Sequence, residues 1–571
     1  MDRVHLNPPP AADAAERADA RAIAPLLNCL LREVAELEGG SGARGGSGSQ
    51  GGSGAHGGAG PRGGSGAQGG SAAPGGSGPD GESGPDGGAG PHGGAGPDGG
   101  AGPHGGAGPR AGSGERRVYR LPGTGRLLRV RGGRRPAEPE VRVSGAWQRI
   151  GHTELVKLVA DELRRHTGLS NHELPAEMID SRDAVAALLT ARARATPPDD
   201  LYLRSEQSLL TGHPYHPAPK ARGGGPVAAW LPYAPEAHAR FPLTLLGVRE
   251  DTVVEEGDTA ALDALGEAPP GYRLLPAHPW QLDLVDLTPA YADGRLIRLG
   301  TTGFDTWPTA AIRTVYAPGH DLFLKFSLDV RITNDIRRLW RHDLLKLRRT
   351  DQATATAFAA LDGPAAWLGD RGYRTAGFAF EELAVLVRDG LRGSVLPGAT
   401  PLLAAGLVEG FDGSPLDGAR DPAAWWEAYL AQVVPPALAA FADHGVVLEA
   451  HLQNTLVAVD TDGMPVQALF RDAEGVKLLP EVSRAAGWER LVYCLVVNHL
   501  VEIAGALAER HPPLDPWPAL RRELARHDLP EIAGLLTAPT LPGKTNLLLR
   551  WTNADGADAR YRPLKNPLAS T

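Results

Sequence analysis

Lys325, Thr333, Asn334 and Arg337 all fall in one stretch, HDLFLKFSLDVRITNDIRRLW, residues 320–340. They supply an ammonium, a hydroxyl, an amide and a forked guanidinium, groups suited to hold phosphate or carboxylate. Leu322, Leu324, Phe326 and Leu328 alternate with Phe323, Lys325, Ser327 and Asp329, and that period of two predicts a half-buried strand. Thr333 then reads as an N-cap, with a helix running on through Asn334 and Arg337. Thr333, Asn334 and Arg337 would share the face of its first turn, where free N–H groups favour an anion. A strand-to-helix turn with solvated basic residues is the plainer alternative.

Further candidates lie on both sides. TGHPYHPAPKARGGG (211–225) is a proline- and glycine-rich loop carrying His213, His216, Lys220 and Arg222, four groups able to contact an anion. A metal reading of its His-x-x-His finds no third ligand beside it. TAAIRTVY (309–316) reads as a strand pairing with 321–328 over the turn APGHD, so that Arg313 and Lys325 face one side. In VVLEAHLQNTLV (446–457), Glu449, His451, Gln453 and Asn454 sit among apolar residues. Buried polar atoms cost ~2–7 kcal/mol unless paired, so these either bond internally or face a ligand. Asp472, in RDAEG, follows a second apolar run. Glu449, Asn454 and Asp472 are oxygen donors of the kind Mg²⁺ takes alongside waters and phosphates. Gly543-Lys544-Thr545 resembles the end of a P-loop, but position 538 is Ala where that motif needs Gly. No dinucleotide fingerprint is present.

The elements that must position these groups follow from pattern and composition. A length of 571 residues predicts two to four domains. A net charge of −9 gives no reason to expect nucleic acid or an anionic membrane as partner. Two cysteines, Cys29 and Cys494, exclude a disulfide framework and a four-cysteine zinc site. The N-terminus has no apolar h-region and no apolar run of 18 residues is evident, so a cytoplasmic protein is expected. Residues 11–38 predict a helix interrupted near Pro25. Residues 39–114 are tandem glycine-rich hexads holding 36 of the 74 glycines and no Val, Leu, Ile, Phe, Tyr or Trp. With nothing to bury against its entropy cost, this segment is expected to be a disordered insert. Deleting it should leave activity intact, because shortening a flexible loop costs little; loss of soluble protein or turnover in the deletion would contradict that.

Strands are expected near 117–121, 126–131 and 140–143, a helix capped by Thr153 and running to about His166, and another starting at Ser181. Beyond these, 227–233, 242–248 and 274–281 read as strands, the last ending in a rigid His278-Pro279-Trp280 turn. Helices are expected at 341–361, 421–443 and 489–509.

GHPYHPAPKARGG, LLPAHPWQ, RTVYAP, FLKFSLDVRITNDIRRL, EAHLQN, RDAEGV and GKTN, in this order between about residues 205 and 550, together resemble the NRPS-independent siderophore (NIS) synthetases, the aerobactin-synthetase-like IucA/IucC family. The resemblance implies a mixed α/β (α+β) protein with a cupped-hand arrangement of thumb (1–195), fingers (196–345) and palm (346–571). It implies an ATP- and Mg²⁺-dependent ligase. A carboxylic acid such as citrate would form an acyl-adenylate, and an amine, hydroxylamine or alcohol would then displace AMP. By motif position, His213, Lys220, Arg313, Thr314 and Lys325 would contact nucleotide phosphates. Thr333, Asn334, Arg337, His451 and Lys544 would hold the substrate carboxylate, with Arg337 and His451 catalytic. Glu449, Asn454 and Asp472 would serve Mg²⁺. A homodimer is expected. Ala311 departs from the serine that many relatives carry two residues before the arginine of the R-T motif. A binding protein that has lost catalysis, or a phosphotransferase, are the alternatives.

Overall fold

The computed structural model describes residues 11–38, 114–554 and 561–569. The expectation of disorder for the glycine-rich segment falls on 39–113, outside the described residues.

Helix Ala11–Glu33 runs through Pro25 without interruption. Its apolar face, Leu26, Leu27 and Leu30, is fully buried, and tertiary packing outweighs the one hydrogen bond that proline removes. It packs with helices His152–Thr167 and Glu173–Arg192 against a five-stranded antiparallel meander between Glu36 and Arg149. The second helix is capped by Gly151 rather than Thr153, with the Glu154 carboxylate accepting from Gly151 N–H at 3.1 Å. The third begins at Glu173, well before Ser181. Ala218, Ala221, Leu547 and Trp551 join the same apolar cluster, so the 211–225 loop and the chain after Lys544 are seated on this unit.

A six-stranded sheet forms the middle of the protein, in the order Trp307–Pro308, Thr314–Ala317, Leu322–Phe326, Val385–Asp389, Asp370–Ala376 and Val253–Gly257. Every neighbouring pair is antiparallel, and the expected hairpin pairs Thr314 with Lys325. Leu322–Phe326 is buried at every position, because a second sheet covers one face and the C-terminal part of the chain packs on the other. The alternation that suggested a half-buried strand thus separates two apolar interfaces, with Lys325 as a deliberate exception. The covering sheet places Thr244–Arg249 between Tyr272–Ala277 and Leu296–Thr301. Val227–Trp230, expected as a strand, is a short helix leading into further 3₁₀ turns.

The C-terminal part holds a four-stranded sheet in which Ala366–Leu368 runs parallel to Pro465–Arg471 and the other pairs are antiparallel. Helices Arg341–Ala360, Pro422–His444 and Arg484–Arg510 pack around it. The last of these contains an 18-residue window apolar enough to cross a membrane, correcting the expectation that no such run exists. Since 83% of that window is buried inside the fold, its apolar character is accounted for by the core.

Candidate active site

The largest correction from the structure falls on residues 333–339. No helix starts there: Leu328–Ile332 and Asp335–Arg337 form a hairpin, and the next helix begins at Arg341. Ile332 pairs with Asp335, so Thr333 and Asn334 are the whole turn. A two-residue hairpin turn demands positive φ, and Thr333 adopts φ 61°, an uncommon state for a β-branched residue. Arg337 holds it there, its Nη2 donating to Ile332 O and to Thr333 Oγ1, each at 2.6 Å. Asp472 is the second strained site residue, at φ 83°. Such outliers persist where the surroundings over-determine them and cluster at functional sites.

A cleft of about 750 Å³, its open mouth included, lies between the middle sheet, the 211–225 loop and the four-stranded C-terminal sheet. Its wall carries seven cations, Lys220, Arg222, Arg313, Lys325, Arg337, Arg388 and Arg471, against the carboxylates Glu236 and Asp472. That balance suits a small polyanion. Each cation is held by geometry. Lys325 donates to Asp472 Oδ1 at 2.7 Å and to Glu474 Oε2 at 2.6 Å. Arg313 reaches the same Glu474 oxygen at 3.6 Å and donates to the Arg337 and Arg338 carbonyls at 2.9 Å. Arg388 bridges Asp370 and Asp472 at 2.6 and 3.1 Å. Lys220 and Arg222 converge on Glu236 Oε1. Burial holds Lys220 below the usual lysine range although Glu236 opposes it. Burial, aided by nearby Arg313, brings Arg337 down to about 10.

The other predicted residues lie next to this wall. His216 Nδ1 accepts from Ala218 N–H, which leaves the proton on Nε2 to be donated to Asn334 Oδ1 at 3.2 Å, and Asn334 Nδ2 donates to Asn546 Oδ1 at 3.2 Å. Glu449 accepts from Arg490 at 2.9 Å and from the Asn454 amide at 3.5 Å, and lies 4.0 Å from His451 Nε2. His213 is half-buried in its loop, with its Nδ1 accepting from Tyr215 N–H at 3.1 Å. Burial, with His451 as the next contribution, pushes its pKa down to about 3, so it is a neutral ring. Lys544 ends strand Thr540–Lys544; burial, then Arg490, brings it down to about 8. Thus Lys220, Arg313, Thr314, Lys325, Arg337, Asn454 and Asp472 line the cleft. His213, Thr333, Asn334, Glu449, His451 and Lys544 lie outside that lining.

Sequence reasoning missed Arg388, Glu474 and Glu236. Glu474 stood inside the quoted RDAEG, two residues from Asp472. Arg388 and Glu236 had no flanking signal, since their roles come from pairing across distant segments. Ala311 also lines the cleft, where it presents no hydroxyl.

Among the described residues no three His, Cys, Asp or Glu side chains converge as a metal cage. Magnesium needs less, since one or two carboxylates suffice when phosphates and waters supply the remaining oxygens. Asp472 and Asn454 on the cleft wall, with Glu449 bonded to Asn454, are a hard-oxygen set that fits such an ion.

Antiparallel sheets and one mixed sheet enclose a cation-walled cleft of a kind suited to a small polyanion. A profile of the IucA / IucC family matches residues 201–409, and one described as ferric iron reductase FhuF-like transporter matches 423–559. The rhizobactin siderophore biosynthesis protein RhbC of Rhizobium meliloti is 30% identical over 451 residues, 65% of this chain and 76% of its own. The L-2,3-diaminopropanoate–citrate ligase of Staphylococcus aureus is 29% identical over 439 residues, 65% of this chain and 75% of its own. In fold the chain is similar to ATP-bound aerobactin synthetase IucA from Klebsiella pneumoniae, with TM-score 0.69 and 21% identity over 80% of this chain and 95% of that one. The chain belongs to the IucA/IucC family of NIS synthetases and has its mixed α/β fold.

Proposed function

We propose that this protein is an ATP-dependent siderophore synthetase that activates citrate, or a related di- or tricarboxylic acid, as an acyl-adenylate and condenses it with an amine, hydroxylamine or alcohol. The observation that carries this reading is the cleft lined by Arg313, Lys325 and Arg337, in which Arg313 and Lys325 share Glu474 and Arg313 donates to the Arg337 carbonyl. The names of the relatives, a citrate ligase among them, support the substrate class.

A carboxylate oxygen of the acid attacks the α-phosphorus of ATP and pyrophosphate leaves. Lys220, Arg313, Thr314 and Lys325 hold the phosphates, with His213 beside them as a neutral ring. Thr333, Asn334 and Lys544 orient the acid. Arg337 and His451 face the charge that grows on the α-phosphate, and stabilising such charge is usually the largest single catalytic contribution. Mg²⁺, held through Glu449, Asn454 and Asp472, supplies further neutralisation of phosphate charge when bound. The nucleophile then attacks the acyl carbon, loses a proton, and AMP departs.

The reading extends to a cytoplasmic homodimer, which light scattering of the purified protein checks. Cys29 and Cys494 are too few for a four-thiolate iron–sulfur cluster.

Lys544 makes a pH prediction. Its pKa of about 8 means the ammonium is present below that pH and lost above it. In the adenylation half-reaction, kcat/KM for the acid should fall as pH rises through about 8. Lys544→Arg, which stays charged, should flatten that fall; an unchanged profile would remove Lys544 from acid binding. The reaction itself is tested by ATP-dependent pyrophosphate release with hydroxylamine as nucleophile, across citrate, 2-oxoglutarate, succinate and a citryl monoamide. Release with one acid and AMP as co-product supports the reading, whereas ADP and phosphate would mark a phosphotransferase.

A further inference from the structure

The helix packed behind His451 is irregular. Arg484–Leu491 is α-helical, Val492–Leu500 is π-helical and Val501–Arg510 is α-helical again. In the widened stretch N–H groups reach back five residues, as Val501 N–H does to Val496 O. π-Helical turns are rare, re-phase the side chains that follow and recur at functional sites. Here the stretch carries His499, which is completely buried.

His499 Nδ1 lies 2.8 Å from Ala450 O, and its Nε2 meets the Tyr429 hydroxyl. A carbonyl only accepts, so Nδ1 carries the proton, Nε2 is left as an acceptor, and the tyrosine O–H donates to it. Burial brings the imidazole pKa down to about 4, so the ring stays neutral near pH 7. Tyr429, also completely buried, packs against both Trp425 and Trp426 at ring separations of 5.2 and 5.7 Å. The aromatic cluster on helix Pro422–His444 therefore ends in a single directed hydrogen bond.

Ala450 stands between Glu449 and His451 in a segment that belongs to no helix or strand. His451 organises most of that segment. Its N–H donates to Glu449 O at 2.8 Å, its carbonyl accepts from Asn454 N–H at 3.0 Å and Thr455 Oγ1 at 3.1 Å, and its Nδ1 accepts from Gln453 N–H at 3.2 Å. The Ala450 carbonyl is buried and takes its hydrogen bond from His499. One planar peptide unit contains both that carbonyl and the His451 N–H. Holding the carbonyl fixes the plane from which the His451 side chain departs.

We propose that His499 and Tyr429 are positioning residues for His451, the π-helical stretch serving to bring His499 Nδ1 onto the Ala450 carbonyl. The proposal rests on the reading of His451 as a residue that faces the reacting phosphate. His499→Asn keeps a donor where Nδ1 sits, and His499→Gln moves it to the Nε2 position. In acid-dependent pyrophosphate release, His499→Gln should lower kcat about 10- to 100-fold, the cost of misplacing a catalytic group by ~1 Å, with the KM for ATP held within about twofold. His499→Asn, paired with Tyr429→Phe to remove the stranded hydroxyl, should restore kcat to within about threefold of the parent. Equal loss in both, or a change confined to KM, would overturn the positioning role. Hydrogen exchange separates this from failure of the functional reading. The amides of His451 and Asn454 should lose protection in His499→Gln and keep it in the Asn/Phe pair, whether or not the enzyme turns over. Unchanged protection in His499→Gln would overturn the proposal directly.

Discussion

Arg337→Ala is expected to lower acid-dependent pyrophosphate release by about 10²–10³-fold, the usual loss when one donor to developing transition-state charge is removed. Arg337 does two jobs that the substitution removes together. It presents a buried cation to the cleft, and it holds the Thr333 turn through Ile332 O and Thr333 Oγ1. Arg337→Lys separates them. The ammonium keeps the charge but cannot reproduce the fork, so it should recover only part of the rate while relaxing the strained turn. Near-wild-type turnover in Arg337→Ala would remove the guanidinium from the chemistry, and a loss confined to the KM of the acid would leave it a binding group only.

Lys325→Ala should cost both stability and activity. Asp472 and Glu474, with Lys325 between them, are all nearly fully buried. Removing one partner of a buried ion pair typically costs ~3–5 kcal/mol, because the remaining charge is left uncompensated. Arg388 and Arg313 also reach these carboxylates, so the lower end of that range is expected. Thermal denaturation of Lys325→Ala should fall by several degrees, with adenylation undetectable. The double variant Lys325→Met with Glu474→Gln removes opposite charges together and should recover much of the stability but none of the turnover. If turnover returned with stability, Lys325 would be a structural residue and not a phosphate contact.

The reading of residues 322–326 shows how far the sequence reaches. The strand and its hairpin partner follow from alternation and a turn of Ala, Pro, Gly, His and Asp; the partner, expected over 309–316, is confined to Thr314–Ala317, and Arg313 stands in the turn just before it, where it still shares Glu474 with Lys325. Burial on both faces was not legible, because the covering sheet comes from 244–301 and local pattern carries no long-range packing. The helix expected after Thr333 failed for a related reason. Thr-Asn-Asp is as good a cap as it is a turn, and the choice between them is made by Arg337 reaching back across the hairpin. Pro25 likewise lost its local effect to burial of Leu26, Leu27 and Leu30 around it. Chemistry-bearing residues were legible where motifs cluster them, as in RDAEG and EAHLQN. Arg388 and Glu236 were not, since each acquires its partner only in the folded chain.

The central claim is that the acid is activated on the α-phosphate, and isotope transfer tests it most directly. With citrate labelled with ¹⁸O in its carboxylates, ATP and hydroxylamine, attack on the α-phosphorus followed by displacement at the acyl carbon leaves one carboxylate oxygen on AMP. AMP carrying a single ¹⁸O is the expected product. Unlabelled AMP, or ADP accompanied by ¹⁸O-labelled phosphate, would contradict it.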